Sequence, residues 1–173
     1  TRPVSTNSLI VARTTGTTQL ISGSTGSPKL YNCTLVAPDD LATAPTEILN
    51  GTTSGTWTVQ NCGLFAGDST KAIKAGSATF NFTTCYSDIS GTSGVTQTTY
   101  GNAFENVNAA TRDYRLKSGS ALIDTGTTDS TNAAIDIAGT SRPWGRNYDV
   151  GCWEYRSALF LGLNVNQAIK RAA

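Results

Sequence analysis

The sequence contains no histidine and no methionine, and only 14% of its 173 residues are charged. Histidine is the commonest general base and metal ligand near neutral pH, so its absence disfavours both kinds of site. The net charge is only +1, which provides no strong field to attract nucleic acid or an anionic membrane surface. The sequence therefore predicts no metal, no cofactor, no nucleic-acid partner and no membrane partner.

Long hydrophobic runs are also missing. No apolar segment reaches the roughly 20 residues that a membrane-spanning helix needs, and residues 1–8 lack the hydrophobic region of a signal peptide.

The four cysteines are far apart and include no C-x-x-C pair: Cys33, Cys62, Cys85 and Cys152. Without histidine to complete a zinc site, this spacing favours buried, reduced packing residues. In a secreted protein the even number would favour disulfides instead, and the sequence leaves this alternative open.

Three of the cysteines lie in similar hexapeptides, LYNCTL (30–35), VQNCGL (59–64) and FTTCYS (82–87). Successive cysteines are 29 and then 23 residues apart, a repeat length typical of stacked coils. In such coils, parallel strands place equivalent side chains about 4.8 Å apart, where they form ladders. The pattern predicts an internal ladder of Cys33, Cys62 and Cys85, with Asn32 and Asn61 forming an amide ladder at a bend.

Segments rich in β-branched and aromatic residues alternate with loops rich in Gly, Ser and Thr, and no long segment before residue 156 has a helical period. The predicted strands are SLIVAR (8–13), TQLIS (18–22), KLYNCTLVA (29–37), TWTVQNCGLF (56–65), ATFNFTTCYS (78–87), DYRL (113–116) and ALID (121–124). These features predict an all-β protein.

In DYRLKSGSALIDTG (113–126), apolar Tyr114 and Leu116 alternate with basic residues, which predicts one buried and one solvated face. Asp113 and Asp124 flank turns, where aspartate ordinarily bonds its own backbone. A catalytic carboxylate pair would instead need to face a substrate cleft at a separation of about 5 to 9.5 Å. We therefore expect both residues to cap turns and expect no catalytic residue here.

This segment and DIAGTSRPWGRNYDVGCWEY (136–155) together resemble the C-terminal signature of right-handed parallel β-helix proteins, which include phage virion proteins and bacterial surface proteins. The signature reads D-[FY]-R-L-x-x-G-S-x-x-I-D-x-G, then D-x-x-G-x-x-R-P and D-[IV]-G-x-x-E. The matching residues are Asp113, Tyr114, Arg115, Leu116, Gly119, Ser120, Ile123, Asp124, Gly126, Asp136, Gly139, Arg142, Pro143, Asp149, Val150, Gly151 and Glu154. The chain departs from the usual pattern at Ala121-Leu122 and at Cys152-Trp153.

The resemblance implies a right-handed parallel β-helix over residues 1–155, with 113–126 as its closing rung, and it favours a homotrimer. At roughly 20 to 30 residues per coil, the length predicts six or seven coils. Residues 1–8 are a candidate N-terminal arm, and residues 156–173 are a capping or docking tail. The tail residues expected to contact a partner or another subunit are Leu159, Phe160, Leu163, Val165, Ile169, Lys170 and Arg171.

Three functions fit these features. The first is a structural phage virion protein, such as a capsid decoration, cement or spike component, that binds a capsid or tail lattice. The second is a bacterial cell-surface adhesin. The third is a polysaccharide-processing enzyme, which needs paired acids and aromatic residues for glycan contact. Its acidic candidates are Asp39, Asp40, Asp68, Asp88 and Glu105, and its aromatic candidates are Trp57 and Tyr86.

Overall fold

The computed structural model describes residues 4–12, 19–23, 26–41, 45–68 and 70–157. Its elements are β1 (Val4–Thr6), β2 (Leu9–Val11), β3 (Gln19–Gly23), β4 (Lys29–Tyr31), β5 (Thr34–Val36), β6 (Glu47–Gly51), β7 (Thr56–Gln60), β8 (Gly63–Phe65), β9 (Ala72–Gly76), β10 (Thr79–Thr83), β11 (Cys85–Ser87), β12 (Val95–Gln97), α1 (Tyr100–Ala103), β13 (Phe104–Asn106) and β14 (Asp113–Leu116). The predicted all-β class is confirmed. None of the described helical segments is long and apolar enough to cross a membrane.

The strands before residue 98 form three parallel sheets. Sheet 1 has the order β1-β4-β7-β10, sheet 2 the order β2-β5-β8-β11-β12, and sheet 3 the order β3-β6-β9. The chain therefore visits the three sheets in the same order three times before β10 and β11 extend the first two. Because each strand pairs with the equivalent strand of the next repeat, Val4 pairs with Lys29, and Lys29 pairs with Thr58.

One or two residues separate each strand of sheet 1 from the next strand in sheet 2. The first residue of each of these bends is Asn7, Asn32, Asn61 or Thr84, with φ between 47° and 52°. Asparagine is one of the few non-glycine residues that adopt this left-handed conformation readily. The long strands predicted over 29–37, 56–65 and 78–87 are therefore each two short strands joined at a bend.

The three sheets share one apolar core. It is built from buried side chains of sheet 1 (Leu30, Trp57, Val59), sheet 2 (Leu35, Leu64) and sheet 3 (Ile48, Leu49, Ile73), together with three cysteines. Residues 4–97, which contain these sheets, are called the stack below. Strands β6 and β9, which complete sheet 3, are absent from the sequence-based prediction because EILNG and AIKAG carry charged residues and short apolar runs.

Residues 98–157, called the flank below, pack against sheet 2 on the face away from that core. A second buried cluster joins Val36 and Phe65 of sheet 2 to Phe104, Tyr114 and Leu122 of the flank. Phe65 and Phe104 meet edge to face, with ring centroids 4.9 Å apart. The flank thus turns the outer face of sheet 2 into a second interior.

Several predictions about the chain ends need correction. The described strands supply three complete sets of three, which is fewer than the predicted six or seven coils, because the flank folds across the stack and does not extend it. DYRL is a strand with Tyr114 and Leu116 buried, but it pairs antiparallel with β13 and is not a parallel closing rung. ALID forms turns, and residues 4–6 of the predicted N-terminal arm belong to sheet 1.

Candidate functional site

The three predicted ladder cysteines occupy equivalent positions, each directly after a bend residue. Cys33, Cys62 and Cys85 are fully buried, and all three are free thiols. The Cys62 thiol donates to the Gln60 carbonyl oxygen at 3.2 Å and the Cys85 thiol to the Val59 carbonyl oxygen at 3.3 Å. Burial raises the pKa of the central thiol, Cys62, whereas the side-chain hydrogen bond with Cys62 lowers the pKa of Cys33 to about 7. Since reaction needs an accessible thiolate, this ladder serves packing, and its reactivity is low in the folded protein.

The amide ladder beside the cysteines joins the stack to the flank. The Asn61 side-chain amide donates to Asn32 Oδ1 at 3.4 Å and to the Thr127 carbonyl oxygen at 2.6 Å. Asn61 Oδ1 accepts from the Thr127 backbone N–H at 2.8 Å. Gly151 also donates its N–H to the Asn61 carbonyl oxygen at 2.8 Å. One bend residue therefore bonds two separate flank segments.

Thr34 makes a similar connection one repeat earlier. Its hydroxyl oxygen accepts the backbone N–H of Cys152 at 3.0 Å. The Cys152 thiol is fully buried, and burial raises its pKa to about 12. Cys152 is thus a packing residue of the junction and is separate from the ladder of the other three cysteines.

Asp113 and Asp124 differ in what they bond. Asp113 accepts from the backbone N–H of Arg115 at 3.1 Å and from its Nε at 3.0 Å, which is the local bonding expected near a turn. Asp124 has φ 57°, and its Oδ1 accepts the N–H groups of Arg146 and Asn147 at 2.6 and 2.9 Å. Its carboxylate therefore holds a distant loop, and the prediction that it caps its own turn is corrected.

The charged residues of the signature form a buried network in the flank. The side chains of Arg142 and Glu154 are both fully buried and form an ion pair at 2.6 Å. The Arg142 guanidinium also donates to the carbonyl oxygens of Asp149 and Gly151 at 3.1 and 2.7 Å. Glu154 in turn accepts the backbone N–H of Trp144 and of Asp149, both at 2.9 Å. This one ion pair bonds four backbone groups, which belong to three residues, Trp144, Asp149 and Gly151.

Two further carboxylates complete the network. Asp136 accepts three backbone N–H groups, those of Ala138, Thr140 and Glu154, at 2.7 to 3.0 Å. Asp149 accepts the Asp124 N–H at 2.7 Å and also the Tyr155 N–H. Burial raises the pKa of Asp149 to about 7, and the nearby carboxylate of Glu154 acts in the same direction. These carboxylates accept hydrogen bonds from backbone N–H groups and so fix the conformation of the flank loops. This is the structural role of the acidic residues of the signature in the flank network.

Of the five acidic residues considered for catalysis, Asp39 is exposed at a turn and lies beside Gly67, as does Asp88, and three of the five are engaged in structural bonds. Asp40 pairs with Arg112. Asp68 bonds the backbone N–H and hydroxyl of Thr70. Asp88 accepts the N–H groups of Ala66 and Gly67 at 2.9 and 2.6 Å, and burial raises its pKa. Each of these bonds fixes a turn or a loop, so a shared substrate cleft is not what organises these carboxylates.

The remaining candidates are placed as follows. Glu105 is exposed on β13. The Trp57 side chain is buried in the core of the stack, and Tyr86 packs against the second cluster. Within the part of the chain that the structure describes, no group of three or more carboxylate or thiol side chains is placed to hold a metal ion. The tail residues Leu159, Phe160, Leu163, Val165, Ile169, Lys170 and Arg171 lie outside the described residues.

The flank carries an exposed apolar surface that the sequence-based prediction missed. Ile135, Ile137 and Trp144 are 52%, 41% and 36% exposed, and the guanidinium of Arg156 lies over the Trp144 ring at 4.7 Å. These four residues are called the flank surface below. A groove of about 410 Å³ adjoins it through Arg156. The alternation of Ile135 and Ile137 with polar or small residues is also found in half-buried strands, so the sequence gives no sign that both side chains are exposed.

The comparisons with known proteins supply no relative. No family model matches the chain, and no curated protein or solved structure matches it either.

Proposed function

We propose that the stack is a right-handed parallel β-helix. The support is the repeated order of three sheets, the pairing of equivalent residues in successive repeats, and a core to which all three sheets contribute. The resemblance of residues 113–126 and 136–155 to β-helix proteins points the same way. In this proposal the flank is a lateral cover of the β-helix and takes the place of a closing rung.

The function we propose is that of a structural virion protein of a phage, a decoration, cement or spike component that binds a capsid or tail lattice. The proposal is supported by one main observation: carboxylates that could act in acid–base catalysis are instead engaged in bonds that hold the fold together. Asp40, Asp68 and Asp88 hold loops, and Asp136 and Glu154 hold the flank. A protein whose task is to persist in an assembly needs such fastening and does not need a reactive group.

Attachment in this proposal is through the C-terminal end. The tail offers Leu159, Phe160, Leu163 and Ile169. Burial of large apolar side chains contributes roughly 1.5 to 3 kcal/mol each before ordering costs are subtracted. Contacts made only in the assembled state stabilise that state by mass action. The partner is a capsid or tail lattice, the protein is a homo-oligomer for which the resemblance favours a trimer, and its location is the virion.

A bacterial cell-surface adhesin is the alternative that the same fold allows. A polysaccharide-processing enzyme is less well supported, because Trp57 is buried and Asp40, Asp68 and Asp88 are engaged in structural bonds. Glycan contact without cleavage stays compatible with the groove beside the flank surface, where Trp153 and Tyr155 contribute aromatic rings.

Two measurements test the virion role. Genes for capsid and tail proteins are expected on both sides of the coding sequence, whereas export or anchoring genes would favour the adhesin. In a lysate that contains assembled particles, the chain is expected to sediment with the particles at a fixed ratio to the main capsid protein. A chain that stays in the soluble fraction while particles sediment would overturn the proposal, and glycan cleavage by the purified chain would favour the enzyme.

A further inference from the structure

Exposed apolar side chains are concentrated at one place on the described part of the molecule. Four large hydrophobic residues are exposed among the residues described, and three of them, Ile135, Ile137 and Trp144, lie within ten positions of each other in the flank. The fourth, Val4, lies in β1, the edge strand of sheet 1. A cluster of exposed apolar residues on a folded protein is typical of a contact site, whereas single ones are common.

The chemistry of the flank surface and its groove is that of a protein contact. Trp144 carries the Arg156 guanidinium on its ring, and the groove adds Trp153, Tyr155 and Glu105. Tryptophan, tyrosine and arginine are the residue types that dominate binding energy at protein interfaces.

The path of the chain indicates the occupant. Arg156 bonds the Thr140 hydroxyl as well as covering Trp144, so the chain reaches its last described residue, Ser157, on this surface. The sixteen residues that follow include six large apolar ones and the basic pair Lys170 and Arg171. A segment tethered this closely has an effective concentration on the order of millimolar at a neighbouring site. That advantage favours the chain's own segment over one from a second copy.

We propose that residues 158–173 bind the flank surface of their own chain, with apolar tail side chains covering Ile135, Ile137 and Trp144. This contact goes beyond the virion role and does not depend on it. If the virion role and this contact are both correct, the flank surface covers the apolar side chains of the tail before assembly. The tail then leaves the flank surface when it binds the lattice. The open ends of the stack then need another cover.

Paramagnetic relaxation in the full-length protein tests the contact. Replacing Asn166 with Cys (N166C) gives an attachment point for a nitroxide label, because the four native thiols are buried. The amide signals of residues 135–144 are expected to lose most of their intensity, while those of β9 on sheet 3 keep theirs. Equal intensity for both groups of signals would overturn the proposal.

Two controls separate the alternatives. In a mixture of ¹⁵N-labelled chain without nitroxide and ¹⁴N chain with nitroxide, no broadening is expected. Broadening at residues 135–144 in that mixture would overturn binding within one chain in favour of a second copy. In the labelled full-length protein, Ile137→Lys is expected to restore the signals, while Val4→Lys, which charges an exposed apolar residue elsewhere, is expected to leave the broadening unchanged. Broadening that survives Ile137→Lys in a folded protein contradicts the assigned surface.

Discussion

The stack buries aliphatic side chains and thiols at equivalent positions of successive repeats, whereas the flank buries charged side chains in a network that does not repeat. In the stack, Cys62 has Cys33 on one side and Cys85 on the other, so each position resembles its neighbours. In the flank, Arg142 is the sole guanidinium among the buried residues described, and it contacts Glu154 and two backbone carbonyl oxygens. In the stack, the free energy of folding is spread over many similar contacts, whereas in the flank it depends on the few contacts of the buried charged network.

The two regions are also fastened to each other by several contacts. Asn61 bonds Thr127 and Gly151, and Thr34 bonds Cys152. Further connections are the Asp40–Arg112 ion pair, the Gln60–Asp129 and Thr84–Thr127 hydrogen bonds, and the apolar cluster between sheet 2 and the flank. This arrangement leads us to expect that changes within the flank network destabilise the flank more than the stack.

The largest effect is expected from Arg142→Met. This change leaves the Glu154 carboxylate buried without its partner, and breaking a buried ion pair in this way costs about 3 to 5 kcal/mol. The free energy of unfolding from urea denaturation measures the loss. Amide hydrogen exchange should accelerate in residues 134–155 before it does in β4, β7 and β10, because the network lies wholly in the flank.

Arg115→Met is the matched control, because its ion pair with Asp113 is 63% exposed on the arginine side. An exposed pair contributes about 0 to 1 kcal/mol. If both variants lost the same stability, the concentration of stability in the buried network would be refuted. If Arg142→Met accelerated exchange equally in stack and flank, the two regions would unfold as one unit.

A pH effect of the next size is expected from Asp149. The folded protein holds its pKa at about 7, against an ordinary value of 3.8, chiefly because of burial. The folded state therefore binds the proton more tightly, so this contribution to stability is complete below pH 3.8 and is lost as the pH rises towards 7. Since one pKa unit corresponds to about 1.4 kcal/mol, the loss has an upper limit of about 4 kcal/mol.

The measurement is the free energy of unfolding between pH 4 and pH 8 for the native chain and for Asp149→Asn, which cannot titrate. The difference between the two curves should change over this range and level off above pH 7. Asp113→Asn serves as the control, because its bond to Arg115 lowers the pKa of Asp113 and gives it the opposite sign. A constant difference between the native chain and Asp149→Asn would show that Asp149 is ionised throughout.

The contrast between the regions also explains what the sequence could predict. The ladder of Cys33, Cys62 and Cys85 and the bend at Asn61 were predictable, because a repeat shows itself by recurring at a fixed position. The flank surface was not predictable, because the exposure of Ile137 and Trp144 depends on how loops pack, and no local pattern records it. The role of Asp124 was misjudged for the same reason, since its bonds go to a loop about twenty residues away.

A smaller effect is expected from Asn61→Ala, which removes the hydrogen bonds that join stack and flank at Thr127. The substitution also places alanine at φ 52°, where a side chain without a polar group is strained by about 1 to 2 kcal/mol. With the two lost hydrogen bonds to Thr127, at about 1 kcal/mol each, a total of about 3 to 4 kcal/mol is expected from urea denaturation. Asn61→Gly separates the two causes, because it removes the side-chain bonds without the strain. Equal losses for Ala and Gly would assign the whole effect to the bonds.

The smallest effect is expected from Asp124→Gly, which acts within the flank alone. Glycine adopts the φ of 57° at this position without strain. The change therefore removes only the acceptor of the Arg146 and Asn147 N–H groups and costs about 1 to 2 kcal/mol, since these groups are partly exposed and water replaces the carboxylate. Hydrogen exchange should accelerate at Arg146 and Asn147 while Thr127 stays protected, because Asn61 still holds it. The control is Asp113→Ala, whose carboxylate bonds only its own neighbourhood, and it should leave Arg146 and Asn147 unchanged. If Asp124→Gly instead exposed β7 and β8 to exchange, the loop at 144–147 would be part of the fastening of the stack, and the division between the two regions would have to be redrawn there.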